Sequence, residues 1–254
     1  MIHRLSALLL TSVLALGFAS PASAYTQAEQ QELQIGQQEY AQLQQQGKII
    51  ASSPYYAVLN PIAARISAVA NRKYFAPFHF ILVKDTQPNA FAVPGGNVYV
   101  TLPMMTFAKN QEELAGVLCH ETSHDIHHDV MNMNQRESGL QIGAMLLGIL
   151  TRNSAVLNTV AGVGVNMAAA SFSRPVESSA DRTGAYTCAA AGYNPWGSVW
   201  LFKRFLASGN GGTFEALSDH PRDDHRISDL EALYRSDPAT FGRFSSSEAT
   251  AHRL

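Results

Sequence analysis

The sequence is poor in charge: Lys, Arg, Asp and Glu make up 15% of its 254 residues, and the formal net charge is −2. So little charge, beside abundant Ala, Gly and Ser, excludes a solvated, disordered chain and points to closely packed helices. No basic block occurs, which excludes nucleic acid as the main partner. No internal repeat is present. Nor does any apolar run reach the roughly 18–20 residues that a membrane span needs. The most apolar region, Gly139 to Phe172, is split by Arg152-Asn153-Ser154 and carries Asn158 and Asn166. It reads as two packed, largely buried helices, with room for an apolar surface facing substrate or lipid.

The N-terminus does not belong to the fold. Met1 to Arg4 is positive, Leu5 to Phe18 is apolar, and Pro21-Ala22-Ser23-Ala24 ends in an Ala-x-Ala pattern. Residues 1–24 read as a secretory signal peptide cleaved before Tyr25, which sends the protein out of the cytoplasm, to a bacterial periplasm. Tyr25, not cysteine, stands immediately after the cleavage site, which argues against a lipid anchor. Residues 25–244 form one domain, and 245–254 read as a flexible tail. Cys119 and Cys188 are the only cysteines, and an oxidising compartment permits a bridge between them. The simpler reading is two buried thiols acting as small apolar residues.

Thr26 to Gln46 reads as a surface helix with no chemistry of its own. Val58, Ile62, Ile66 and Val69 form an amphipathic stripe, with Asn60-Pro61 marking a helix start. His79 to Val83 has strand character. Asn89 to Val93 and Val98 to Thr101 flank Pro94-Gly95-Gly96-Asn97 and predict a β-hairpin. An edge strand over Asn89, Ala90, Phe91 and Ala92 is suited to holding an extended peptide. Asn110 with Glu113 three residues later starts a helix, Pro175 starts another, and Arg226 to Tyr234 is the last.

The helix beginning at Asn110 carries the chemistry. His120-Glu121-Thr122-Ser123-His124 puts two imidazoles one turn apart on one face, able to reach one ion, with Glu121 about 100° around the helix. A catalytic zinc needs three protein ligands and an open position. Glu177, in the first turn of the helix at Pro175, is the best third ligand. Asp181, one turn on, can accept a hydrogen bond from a ligand histidine and fix its ring.

His120-Glu121-x-x-His124, Ser173-Arg174-x-x-Glu177-x-x-Ala180-Asp181, and Ser218-Asp219-His220-Pro221 with Arg226 together resemble the zinc endopeptidases of metallopeptidase family forty-eight, of the HtpX and CAAX prenyl protease type. The likeness runs from about Tyr55 to Tyr234. It implies an α+β fold: a mainly helical, zincin-type (gluzincin) metallopeptidase with a small β-sheet or hairpin beside the motif helix. It implies one zinc ion per chain on His120, His124 and Glu177, with Glu121 as general base and acid. His220 would stabilise the oxyanion or, alternatively, sit on the zinc as a fourth ligand. Arg226 would lend support.

The substrate implied is extended or misfolded polypeptide, in quality control of envelope proteins, with room for peripheral association with a membrane or an envelope protein. Oligomeric state is left open. A competing reading is a peptide-binding, chaperone-like module with low or regulated turnover. The run Asp125 to Asp129 departs from the family by its polarity, and His127 reads as a solvated histidine there.

Overall fold

The computed structural model describes residues 25–134, 172–207 and 224–254. The expected signal segment, the apolar stretch up to Ser171 and the Ser218 to Pro221 motif with His220 lie outside the described residues. Within them the architecture is mainly helical with one small sheet, as expected. No helix among the described residues is long and apolar enough to cross a membrane.

Helix α1 (Gln27–Gln45) starts at a capping box: the Thr26 hydroxyl accepts from the Glu29 amide at 3.2 Å, and the Glu29 carboxylate accepts from the Thr26 amide at 2.6 Å. Its inward face carries Leu43 and, against expectation, two buried carboxylates, Glu32 and Glu39. Helix α2 (Tyr56–Ala70) begins five residues before Pro61, which lies inside it. Its first bonds are i→i−3, from Tyr56, Ala57 and Val58. The helix is thus nucleated ahead of the proline, whose missing N–H costs a single bond. Leu59, Ile62 and Ile66 on its apolar face are essentially inaccessible, worth about 1.5–3 kcal/mol of transfer free energy each.

The sheet has the order β1 (His79–Val83), β3 (Asn97–Thr101), β2 (Ala90–Val93), with β1 parallel and β2 antiparallel to the central β3. The expected hairpin is β2–β3. Its turn carries Gly96 at φ 91°, a conformation that suits glycine, and the Gly96 amide donates to Asp125 Oδ2 at 3.1 Å. The short helix α3 (Leu102–Phe107) follows directly, capped by Thr101.

Helix α4 (Gln111–Ile126) carries the motif, starts at Asn110 as expected, and is buried from Glu112 to Asp125. A helix this polar can be buried only if its side chains are satisfied. Thr122 and Ser123 donate to the Cys119 carbonyl at 2.9 and 2.7 Å. Glu113 accepts from Arg204 at 2.6 Å, and Asp125 holds the hairpin turn. After α4 come α5 (Asp129–Asn134), α6 (Arg174–Ala190) and α7 (Trp196–Ala207), then α8 (Asp224–Ser236) and α9 (Pro238–Phe241).

Helix α6 lies directly against α4. A Cβ on Gly184 would come within 3.1 Å of the His120 backbone, so only glycine lets the two backbones approach this closely. Cys119 and Cys188 form a disulfide, with Cα atoms 5.8 Å apart, which corrects the reading of two free thiols. The crossing of α4 and α6 brings their Cα atoms into bridging range, something neither local sequence encodes. The last ten residues also differ from the loose tail expected. The His252 carbonyl accepts from the Gln111 amide at 2.8 Å, Arg204 pairs with Glu248 at 2.6 Å, and Trp200 Nε1 donates to the Ser246 carbonyl at 2.9 Å. These bonds fasten the segment over the start of α4.

Candidate metal centre

His120 and His124 point the same way from α4 because four residues make one turn. Glu177 faces them from the first turn of α6, and all three are buried. His120 Nε2 lies 3.1 Å from His124 Nε2 and 3.4 Å from Glu177 Oε2, and His124 Nε2 lies 3.8 Å from Glu177 Oε1.

The outer nitrogens fix what these inner ones carry. His120 Nδ1 is 2.9 Å from Asp181 Oδ1, and His124 Nδ1 is 2.8 Å from Asp129 Oδ2. Each carboxylate accepts a hydrogen bond from Nδ1–H, so in the neutral ring the lone pair is on Nε2. The two Nε2 atoms and the Glu177 carboxylate therefore converge on one buried point, which a shared proton or a metal cation must fill. A tetrahedral zinc at ~2.0–2.1 Å from each donor holds its ligands roughly 3.3–3.4 Å apart, within the range seen here. The donor set fits zinc.

The acid–base balance agrees. Burial by itself would lower the His120 imidazole, but the Asp181 and Glu177 carboxylates outweigh it and raise the group to about 10. The pocket thus favours a positive charge at this ring. Without a metal ion that charge is a second proton, at Nε2; a cation bound there would take the proton's place and use the Nε2 lone pair. Asp181 is pulled the other way: burial raises it, yet Arg226 and His120 bring it below the usual carboxylate range. Arg226, buried under the face of Phe202, donates to Asp181 through Nε at 2.7 Å and Nη2 at 2.6 Å, and its Nη1 is 3.0 Å from Glu177 Oε2. One guanidinium thereby orders both carboxylates of α6.

Glu121 is buried beside the sheet, and its Oε2 accepts from the Ala92 amide of β2 at 3.1 Å. In the edge segment, Asn89 turns inward: its amide donates to Thr101 Oγ1 and its carbonyl accepts from the Thr101 amide. By the alternation of a strand, Phe91 faces β3 with its backbone as well, while Ala90 and Ala92 direct theirs away from it. The whole of β2 is buried. An apolar pocket between α4 and α7, lined by Val117, Leu201 and Phe202, adjoins His120 and Glu121.

Of the site residues expected from sequence, the structure brings together His120, Glu121, His124, Glu177, Asp181 and Arg226, with β2 alongside. His220 lies outside the described residues. Asp129 was missed, although the polarity of the run from Asp125 to Asp129 was the available signal. His127 is only partly exposed, and its Nε2 meets Thr183 Oγ1 at 2.9 Å.

Comparison with known proteins bears on this geometry. The model of peptidase family M48 matches residues 57–234. Beta-barrel assembly-enhancing protease of Escherichia coli is 29% identical over 211 residues, covering 78% of this chain and 43% of that protein. The protein of the same name from Yersinia pestis is 30% identical over 209 residues, with the same coverage. Mitochondrial metalloendopeptidase OMA1 of Schizosaccharomyces pombe is 29% identical over 153 residues, covering 59% of this chain and 44% of that one. The match thus spans less than half the length of each of these three relatives.

Proposed function

The chain belongs to peptidase family M48 and is a metalloendopeptidase, and from that premise we propose that it cuts extended or misfolded polypeptide in a bacterial envelope, using one zinc ion on His120, His124 and Glu177. The observation that carries the zinc assignment is the convergence of His120 Nε2, His124 Nε2 and the Glu177 carboxylate on a single buried point.

When bound, zinc would polarise the scissile carbonyl and make the attacking water more acidic. Glu121 takes the proton of that water and passes it to the leaving amine. The Ala92 amide holds the Glu121 carboxylate toward the sheet, so the proton acceptor is fixed before substrate arrives. Asp181 and Arg226 orient His120 and Glu177. His220 is the candidate for stabilising the oxyanion. Within the segment Asn89, Ala90, Phe91 and Ala92, Ala90 is fully buried, so the Ala92 carbonyl beside Glu121 is the group suited to pairing with an extended peptide. The cavity at Val117, Leu201 and Phe202 measures about 10 Å³, room for one water molecule, so these residues form an apolar wall beside Glu121 rather than a seat for a substrate side chain.

The envelope setting is supported by the Ala-x-Ala signal sequence and by relatives named for enhancing β-barrel assembly. Metal analysis and casein digestion test the reading together. About one zinc per chain is expected, with digestion stopped by a chelator and restored by added zinc. A chain that digests casein equally well with its metal stripped would contradict it.

A further inference from the structure

We propose that Asp129 is a positioning residue for His124, and that the turn His127-His128-Asp129 serves to deliver it to the metal site. The inference rests on the reading that His120, His124 and Glu177 hold zinc, and it assigns work to the polar stretch that follows His124.

Helix α4 ends at Ile126, and an α-helix continued in line would carry residue 129 away from the ring of His124. The chain instead turns sharply. His127 bonds back to Ser123 and His128 to Asp125 through their amides, and His128 adopts φ 55°, the only left-handed non-glycine residue among those described. Such a conformation costs free energy at histidine and persists only where the surroundings hold it.

The surroundings here are specific. His128 Nδ1 meets the buried carboxylate of Glu32 on α1 at 2.7 Å. The His128 ring also lies beside the rings of Tyr74 and Phe75. His127 is held to α6 through Thr183 at 2.9 Å. Between these anchors the reversal points the Asp129 carboxylate at His124 Nδ1, 2.8 Å away, and Phe172 stacks on the same imidazole with ring centroids 4.2 Å apart.

Both zinc-ligating histidines are therefore braced in the same manner, His120 by Asp181 from α6 and His124 by Asp129 from the turn. A carboxylate at Nδ1 fixes the tautomer, the ring plane and the basicity of Nε2, and losing such a partner commonly weakens metal binding 10–100-fold. The buried Glu32 has a role on the same account, because it makes α1 a support for the metal site through His128.

Zinc affinity by chelator competition, in wild type, Asp129→Ala, Asp129→Asn and Val130→Ala, tests the inference. Val130 is a buried neighbour next to Asp129 that packs in the apolar cluster of Leu43, Val93 and Tyr99. The zinc Kd should rise about 10–100-fold in Asp129→Ala. It should rise less in Asp129→Asn, whose amide oxygen still accepts from Nδ1, and stay within about threefold in Val130→Ala. In zinc-loaded protein the hydrogen-bonded Nδ1 proton of His124 should be visible by NMR and be lost in Asp129→Ala. Should Asp129→Ala fail to fold, Asp129→Asn supplies the comparison, with a Kd equal to wild type counting against the role.

Wild type that binds zinc beside an Asp129→Ala variant that binds it equally well would overturn the inference alone. So would a Val130→Ala variant that weakens binding as much as Asp129→Ala. Wild type that takes up no zinc would overturn the metal reading and the inference with it.

Discussion

Removing the disulfide between Cys119 and Cys188 is the perturbation whose magnitude follows most directly from the structure. The bridge spans 69 residues of sequence and joins α4, which carries His120 and His124, to α6, which carries Glu177. A cross-link closing a ring of that size lowers the entropy of the unfolded chain by about 15 cal/mol/K, or roughly 4 kcal/mol at 25 °C. Replacing both cysteines by alanine also removes two buried sulfur atoms from the core, which adds to the loss. In a protein of this length, 1 kcal/mol shifts Tm by about 2–4 °C, so Cys119→Ala/Cys188→Ala should melt roughly 8–16 °C below wild type. Melts are best followed by circular dichroism with a chelator present, so that zinc binding does not contribute to the difference. Wild type melted in reductant should fall by a similar amount. The reasoning is refuted if both thiols of the denatured wild type alkylate without reductant, or if the double variant melts within about 2 °C of it.

Two further outcomes are expected. Gly184→Ala places a methyl 3.1 Å from the His120 backbone and so must push α4 and α6 apart; a stability loss of about 1–3 kcal/mol in denaturant melts and slower casein digestion should follow. Burial raises the Glu39 carboxyl to about 7, with Lys48 opposing, and its Oε1 has no hydrogen-bond partner among the described residues. Because the folded value lies above the unfolded one, the stability this group contributes is fully present below about pH 4.5 and is lost as pH rises through 7. Glu39→Gln should therefore leave the unfolding free energy unchanged near pH 4 and raise it at pH 8 by on the order of 1–3 kcal/mol.

Much of the metal site is legible in the sequence because helices fix side-chain direction over one turn. The pair His120 and His124, and the pair Glu177 and Asp181, each follow from a four-residue step, and Asn110 and Pro175 mark where the two helices begin. What sequence could not supply depends on how elements meet. Whether Cys119 reaches Cys188 is settled by the crossing of α4 and α6, and Gly184 at that crossing looks like any helical glycine from sequence alone. Asp129 escapes because its reach to His124 passes through a left-handed histidine that no local rule favours. Glu32 and Glu39 read as surface carboxylates of a Gln-rich helix, yet packing of α1 on the hairpin buries both. Pro61 misled for a local reason: the helix is nucleated by the bonds before it. Alternation alone could place β2 beside β3 but not decide which of its residues turn outward, which the bonds of Asn89 to Thr101 do.

The central claim is that Glu121 moves the proton in a cleavage that depends on zinc at His120, His124 and Glu177. Glu121→Gln keeps the size and the hydrogen bond acceptor that faces Ala92 but cannot take up a proton. Zinc content and casein digestion measured on the same preparation of wild type and Glu121→Gln test it most directly. The account predicts about one zinc per chain in both and a loss of hydrolysis of at least 10²-fold in the variant. Hydrolysis by Glu121→Gln at the wild-type rate, with zinc bound, would contradict it.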